Sequence, residues 1–230
     1  MIIIGIDFSI QFPAACISRN FESFKWIACV NTSIPKIYYK FLNDIELEHS
    51  DIKFVHLEPR EKIKDNYSAI ERSKLLNYSK LVDSFINAIH NEIGNDDQII
   101  VAIEGISYGA KGNALLDICQ STGMMRKTIL DRLLAGHGEK VFIFSPGELK
   151  NAIGAKGNAG KYDVYRTFLE NPSLAKNSQL YKVIDKYSDP IIRGQEVRSP
   201  FMDMIDAYLA VLKVHELLKE PIDHVKGKSK

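Results

Sequence analysis

The first thirty residues alternate between short apolar runs and turn-forming residues. Apolar runs cover residues 2–6, 14–18 and 24–30, and turn-forming residues separate them at 11–13 and 19–20. This pattern predicts three strands joined as an antiparallel meander. The following residues, 31–66, are irregular and densely charged. They predict an exposed excursion inserted into the domain.

Helical periodicity then alternates with continuous apolar runs. Apolar positions in residues 68–93 recur at spacings of three to five, which predicts an amphipathic helix. After Gln98, residues 99–103 form an unbroken apolar run, which is typical of a strand covered on both faces. Further elements are predicted in order: a helix at 115–134, a strand at 140–144, and helices that begin near Pro146, Lys161 and Phe201. Strands alternating with helices predict an α/β fold with a mixed sheet.

The organisation that follows is one domain over residues 1–220, with insertions at about 31–66 and 171–200. Residues 171–200 are polar and predict a connector, and the basic residues 221–230 predict a flexible tail. A chain of 230 residues with 45% hydrophobic and 26% charged residues can bury a large core without disulfides.

Composition excludes several classes of protein. No apolar run approaches the roughly 20 residues that span a bilayer, so no membrane partner is expected. The three cysteines form no CxxC pair, which argues against a zinc finger, and each is expected to be a small buried residue. The apolar N-terminus has no basic leader, so we expect a cytoplasmic protein, in the host cell cytoplasm if the source is viral.

Four carboxylates occur where apolar elements end. Asp7 follows the first strand, Glu104 closes the apolar run at 99–103, and Asp203 and Asp206 lie three residues apart in the last helix. Taken singly, each could cap a turn, form an ion pair or favour a helix N-terminus. Together they suggest a site for divalent cations, because oxygen ligands without histidine or cysteine favour Mg²⁺ or Mn²⁺. Two such ions about 4 Å apart are suited to cleaving phosphodiesters.

These residues lie in four stretches whose order resembles that of the RuvC-like Holliday junction resolvases, within the ribonuclease H-like superfamily. The first is the Ile-Gly-Ile-Asp of residues 4–7. The second is the Ala-Ile-Glu of 102–104, followed by Asn113, Leu116, Gln120 and Gly123. The third joins 150–154 to the glycine-containing 157–161, and the fourth is the Asp-Met-Ile-Asp-Ala of 203–207.

The resemblance implies a ribonuclease H-like fold with a five-stranded mixed sheet flanked by helices. It further implies a homodimer that makes paired nicks in a four-way DNA junction. By position, Asp7, Glu104, Asp203 and Asp206 would be catalytic and would hold two Mg²⁺ ions, with Mn²⁺ as a possible substitute. Insertions of this kind are more usual in viral members of the family, so a phage or viral source is expected.

Contacts with DNA are expected in the middle of the chain. Residues 111–166 contain nine basic and five acidic residues, whereas the whole chain has a net charge of only +1. The residues expected to contact DNA are Tyr108, Lys111, Lys150, Lys156 and Lys161. The resemblance implies that Lys150 and Lys161 lie against phosphate. Members of the family have a bulky side chain shortly after the second carboxylate that probes the junction centre, and the nearest candidate here, Tyr108, stands one position later than that pattern. Arg126, Lys127 and Arg132 could instead form a solvated surface or line a dimer interface.

Other functions stay open at this point. A nuclease of the same superfamily could act on the RNA of a hybrid, on a flap or on ribosomal RNA ends. A junction-binding protein without catalysis is a second possibility, and an actin-like ATPase is a third, since residues 4–9 resemble a phosphate loop of that fold. No nucleotide cofactor is expected, because Ala155 and Tyr162 replace the glycine and the Ser or Thr that a phosphate-binding loop requires.

Overall fold

The main sheet of the protein has six strands. The structure is a computed structural model, which describes residues 1–59, 63, 65–94, 98–106, 111–170 and 178–219 of the chain. The strands are β1 (Ile2–Asp7), β2 (Ala14–Arg19), β3 (Ser23–Asn31), β4 (Ile52–Leu57), β5 (Ile99–Glu104) and β6 (Val141–Phe144). Their order across the sheet is β4-β3-β2-β1-β5-β6. The pairs β1–β2 and β2–β3 are antiparallel, whereas β3–β4, β1–β5 and β5–β6 are parallel. Two further short strands, β7 (Ile192–Arg193) and β8 (Glu196–Val197), form a separate hairpin.

Helices cover both faces of this sheet. They are α1 (Lys36–Glu48), α2 (Tyr67–His90), α3 (Asn113–Arg132), α4 (Pro146–Asn151), α5 (Lys161–Glu170), α6 (Gln179–Lys186), α7 (Ser188–Ile191) and α8 (Phe201–Lys219). As predicted, Pro146 occupies the first turn of α4, where Ser145 and Glu148 form a reciprocal capping box. A short 3-10 turn, Gly138–Lys140, leads into β6.

The alternation of side chains along β1 divides the core into two layers. Ile2, Ile4 and Ile6 point to one face, where they pack with residues of α2 and α3. Ile3 points to the other face, which α8 covers together with α1, α5 and α6. Most residues of α8 are buried, so this helix is the central element of the second layer.

The predicted mixed sheet flanked by helices is confirmed and is consistent with a ribonuclease H-like fold, but the predicted count of five strands is one short. The sixth strand is β4, which lies in the segment expected to be an exposed excursion. Ile52 and Phe54 are only 1% and 4% exposed, and Leu42 of α1 is fully buried. The charges between these apolar residues concealed an alternating strand and an amphipathic helix.

Two smaller expectations also differ from the structure. The described part of the predicted connector, 178–200, contains α6, α7 and the β7–β8 hairpin, and Leu180, Val183 and Ile184 are buried. Cys16 and Cys29 are buried as expected, but Cys119 is exposed on α3. The tail at 221–230 and Tyr108 lie outside the described residues. Of the helices in the described ranges, none has the length and apolar character needed to cross a bilayer.

Candidate active site

Two of the four acids stand side by side at the ends of neighbouring parallel strands. In the β1–β5 register, Gly5 lies opposite Ala102 and Ile6 lies opposite Ile103, so Asp7 and Glu104 come next. Because Ile6 and Ile103 pack into the α2–α3 layer, the following side chains point to the opposite face. Asp7 and Glu104 are therefore directed towards the layer that contains α8.

A close approach between β1 and α8 brings the other two acids to the same place. A Cβ atom at Gly5 would lie 2.0 Å from the backbone oxygen of Ala207 in α8. Only glycine fits at this point of contact. The contact sets Asp206, the residue before Ala207, at the end of β1, and Asp203 lies one turn earlier in the same helix.

The four predicted carboxylates line one cavity. Asp7, Glu104 and Asp206 each offer one carboxylate oxygen, and these three oxygens all lie within 4.8 Å of one another. Asp203 is not part of this trio, although it lines the same cavity and is only 5% exposed. Its Oδ2 atom is buried and has no hydrogen-bond partner among the described residues.

Burial and mutual repulsion make these carboxyl groups hard to ionise. Burial raises the pKa of Asp7 well above its ordinary value, and the charges of Glu104, Asp203 and Asp206 raise it further. The pKa of Asp206 is also well raised, by burial first and then by Glu104 and Asp203. Burial likewise raises the pKa values of Glu104 and Asp203. A hydrogen bond with the Asp7 side chain lowers the pKa of Glu104 in part, and a hydrogen bond with Ser199 is the largest effect that lowers the pKa of Asp203.

Two lysines line the same cavity and oppose this effect. The charge of Lys161 lowers the pKa values of all four acids, and Lys150 lowers those of Glu104 and Asp206. The Nζ atom of Lys150 donates a hydrogen bond to the backbone oxygen of Ala159, at 2.7 Å, which ties the end of α4 to the segment before α5. Two lysines do not neutralise four ionised carboxylates, so the cavity would carry a net negative charge.

The donor set fits divalent cations. All the candidate ligands are carboxylates, the hard oxygen donors that such cations prefer. The unpartnered Oδ2 of Asp203 is a buried acceptor that a cation would satisfy. A cation would also remove the repulsion that raises the pKa values of the acids.

The predicted DNA-contacting lysines separate into two groups. Lys150 and Lys161 line the cavity beside the acids. Lys111 and Lys156 are exposed and are not among the cavity-lining residues in the described part of the chain. Tyr108 falls in 107–110, outside the described residues.

The structure adds a wall to the cavity that the sequence pattern did not indicate. The connection between β1 and β2 contributes Phe8, Ser9, Ile10, Gln11 and Phe12 to the lining. In the sequence, residues 11–13 indicate a turn, and residues 4–9 only resemble a phosphate loop of the actin-like fold. The position of residues 8–12 directly after Asp7 is the feature that could have pointed to the site, since the residues after a strand-end carboxylate border the same edge of the sheet.

Comparisons with known proteins give a distant likeness in structure only. No family model matches the chain, and no curated protein matches it. A structure of Thermus thermophilus RuvC has 13% sequence identity and a TM-score of 0.43, and the match covers 93% of this chain and 92% of that one. A structure of T. thermophilus RuvC in complex with Holliday junction substrate has 11% identity and a TM-score of 0.49, covering 94% and 96% of the two chains. Both TM-scores lie below 0.5, so this likeness by itself assigns no function to the chain.

Proposed function

We propose that this chain is a Mg²⁺-dependent endonuclease that resolves Holliday junctions and related branched DNA by paired nicks. The observation that carries the proposal is the convergence of carboxylates from β1, β5 and α8 in one cavity, with three of them within 4.8 Å of one another. Elements remote in sequence bring four acids together although ionising them there is costly. Such an arrangement is typical of a site that binds cations and acts on phosphate.

Each polar residue of the cavity has a role in this proposal. Asp7, Glu104, Asp203 and Asp206 would hold two Mg²⁺ ions, for which Mn²⁺ could substitute. When bound, the ions supply an activated water and stabilise the charge that develops on the leaving oxygen. Lys150 and Lys161 attract and orient the phosphate of the strand to be cut. Lys111 and Lys156, outside the cavity lining, would contact DNA phosphates further from the cut, and Tyr108 would also contact DNA.

The acidic site also bears on the other functions. A protein that only binds junctions would gain nothing from four buried acids that repel one another, since anionic DNA would add to the repulsion. An actin-like ATPase would have to place triphosphate beside the same four acids. A nuclease of the same fold with another substrate shares this chemistry, so substrate choice must be measured directly.

The proposed enzyme acts as a homodimer, because two symmetric nicks in one junction need two active sites. Exposed apolar side chains on α2 and α3 support pairing through this surface. Leu75 and Leu76 of α2 are 56% and 54% exposed, and Leu116 of α3 is 60% exposed. These leucines flank an ion pair in which Lys74 Nζ lies 3.1 Å from Asp117 Oδ1. Exposed apolar side chains grouped in this way are typical of protein interfaces.

Cleavage of defined substrates tests this function. Wild-type protein with Mg²⁺ should cut a synthetic four-way junction with symmetric nicks, and should cut an RNA–DNA hybrid duplex much more slowly. Asp7→Asn and Glu104→Gln should each lower the junction-cleavage rate by about 1,000-fold or more, while junction affinity in a gel-shift assay stays within about threefold. Asp44→Asn, at an exposed position on α1, is the matched control and should cut normally.

The results also separate the alternatives. Preferred cleavage of the hybrid would favour the other nucleases of the superfamily. Junction binding without any cleavage in Mg²⁺ or Mn²⁺ would favour a binding protein. Misfolding of Asp7→Asn and Glu104→Gln would indicate that the acids stabilise the fold through ion pairs.

A further inference from the structure

The cavity with the acids has a second part that metal chemistry does not require. Apolar side chains line it: Phe8, Ile10 and Phe12 from the β1–β2 connection, and Ile106 and Ile118 from the residues after β5 and from α3. Cations and phosphate need oxygen ligands and cationic side chains, so these apolar groups serve neither. An apolar wall in an open cavity is typical of a binding site for an apolar or aromatic group.

The β1–β2 connection is held in a fixed shape. The ring of Phe8 lies 6.3 Å from that of Phe85 on the α2 side of the sheet, whereas Phe12 packs against the core on the α8 side. The backbone N–H of Phe12 donates a hydrogen bond to Ser9 Oγ at 2.8 Å. Ile10 and Gln11 therefore stand at a tip whose two ends are anchored, and this part of the cavity is formed in advance of binding.

The position of this wall limits what can occupy it. Phe8, Ile10 and Ile106 line the same cavity as the four carboxylates, so the apolar wall and the acids border one space. The whole cavity has a volume of about 640 Å³, within the range of sites that enclose small organic groups. A group bound there must be apolar on its faces and linked to a phosphate at the acids. A base of the DNA strand being cut meets both conditions.

We infer that the cavity takes one unstacked base from a nucleotide next to the scissile phosphate, and that Gln11 reads the edge of that base. This inference rests on the proposed function. Ile10 and Phe12 contact the face of the base, and the exposed amide of Gln11 donates to and accepts from its edge. Taking a base out of the stack costs less where the continuous duplex is interrupted, so this step favours branched over continuous duplex DNA. Gln11 thereby influences the sequence at which the junction is cut.

A fluorescent base tests whether unstacking occurs. Junctions carrying 2-aminopurine at single positions within two nucleotides of the cut are bound to the cleavage-deficient Asp7→Asn protein in Mg²⁺. We expect 2-aminopurine fluorescence to rise several-fold at one of these positions on binding, because the base leaves the stack. In the double variant Asp7→Asn with Ile10→Ser, most of this rise should be lost. Ile37→Ser, at an 84% exposed position on α1, is the matched control and should leave it intact.

Cutting of a library of junctions tests the role of Gln11. Gln11→Ala should reduce discrimination among the four bases at the unstacked position by about 10-fold, with total cleavage changed much less. Gln98→Ala, an exposed glutamine before β5 at the opposite end of that strand from Glu104, is the control and should keep the wild-type preference. Since Gln11 is exposed, this variant should fold even if Ile10→Ser does not.

Failure of this inference can be told from failure of the proposed function. If wild-type protein cuts junctions but 2-aminopurine stays quenched at every position tested, no base enters the cavity and the inference is wrong. Unchanged base preference in Gln11→Ala contradicts its role in reading the base. If wild-type protein cuts no junction in Mg²⁺ or Mn²⁺, the proposed function itself fails.

Discussion

At the residue scale, the carboxyl group of Asp7 links folding to pH and to metal. Burial and the neighbouring acids raise its pKa, and the same causes raise the pKa of Asp206. A carboxyl group with a higher pKa in the folded chain binds its proton more tightly there than in the unfolded chain. The free energy of unfolding therefore falls as pH rises from the unfolded value of about 4 through the raised folded value. Above the pKa of the folded state, this group causes no further decrease in the free energy of unfolding.

This predicts that Asp7→Asn is more stable than wild type at pH 8 in the absence of divalent metal. The difference in melting temperature should shrink as pH falls towards about 4, because protonated Asp7 no longer repels its neighbours. Each 1 kcal/mol of difference in the free energy of unfolding shifts the melting temperature by roughly 2–4 °C in a domain of this size. Thermal unfolding of both proteins in EDTA across this pH range therefore measures the difference in stability. Acids whose pKa values are lowered, such as Glu92 beside Lys25, contribute equally to the pH dependence of stability in both proteins, so their contribution cancels in the comparison.

Addition of Mg²⁺ should reverse the order of stability at pH 8. A ligand that binds only the folded state raises its stability, and wild type keeps all four carboxylates. The melting temperature of wild type should rise with Mg²⁺ concentration, whereas that of Asp7→Asn should rise less. Equal shifts in the two proteins would contradict a metal site that includes Asp7.

At the scale of elements, the site depends on how closely α8 approaches β1. Gly5 leaves room for the backbone of α8, whose Ala207 oxygen occupies the space that a side chain would need. The same helix contributes Asp203 and Asp206, and β1 contributes Asp7. A single backbone contact therefore positions three of the four acids.

We predict that Gly5→Ala destabilises the fold by about 3 kcal/mol or more, because strand and helix must separate to admit the methyl group. Chemical denaturation measures this change. Gly123→Ala is the matched control: Gly123 lies within α3 with no atom within 4 Å of an added Cβ, so alanine should stabilise by about 0.5–1 kcal/mol. Similar effects at both positions would show that the close approach at Gly5 is not required.

At the scale of the whole molecule, the proposed paired nicks require two chains to act together. The exposed leucines of α2 and α3 lie in the layer opposite α8, so pairing through them would leave the cavity open to DNA. Their side chains would be removed from water on association, which supplies the free energy for pairing.

In analytical ultracentrifugation, we predict that the wild-type protein has twice the chain mass of 26.0 kDa. The double variant Leu76→Glu, Leu116→Glu should have the mass of a monomer. The monomeric variant should lose the coupling between the two nicks, because introduced charges oppose burial of this surface. Leu47→Glu is the control, since Leu47 is 85% exposed on α1 and should not affect pairing. A monomeric wild type at micromolar concentration would contradict the proposed dimer.

Most individual elements could be predicted from the sequence because their patterns are local. The three-stranded meander, the strand ending at Glu104 and the long helices lie close to where apolar periodicity indicated them. The four carboxylates could be selected for the same reason, since each adjoins an apolar run. In contrast, β4 and α1 were not predicted, because their few apolar residues are interspersed with charges and are buried only when packed against β3 and α8.

The sequence by itself determined which side chains could bind metal and the segments that carry them. Only the tertiary structure decided that Asp7 and Glu104 share one face, that Gly5 admits α8, and that the β1–β2 connection forms an apolar wall of the same cavity. The physical reason is the range of the interactions. Periodicity and turn preference act between near neighbours in the chain, whereas strand register and backbone approach join residues that are far apart in sequence, such as Gly5 and Ala207.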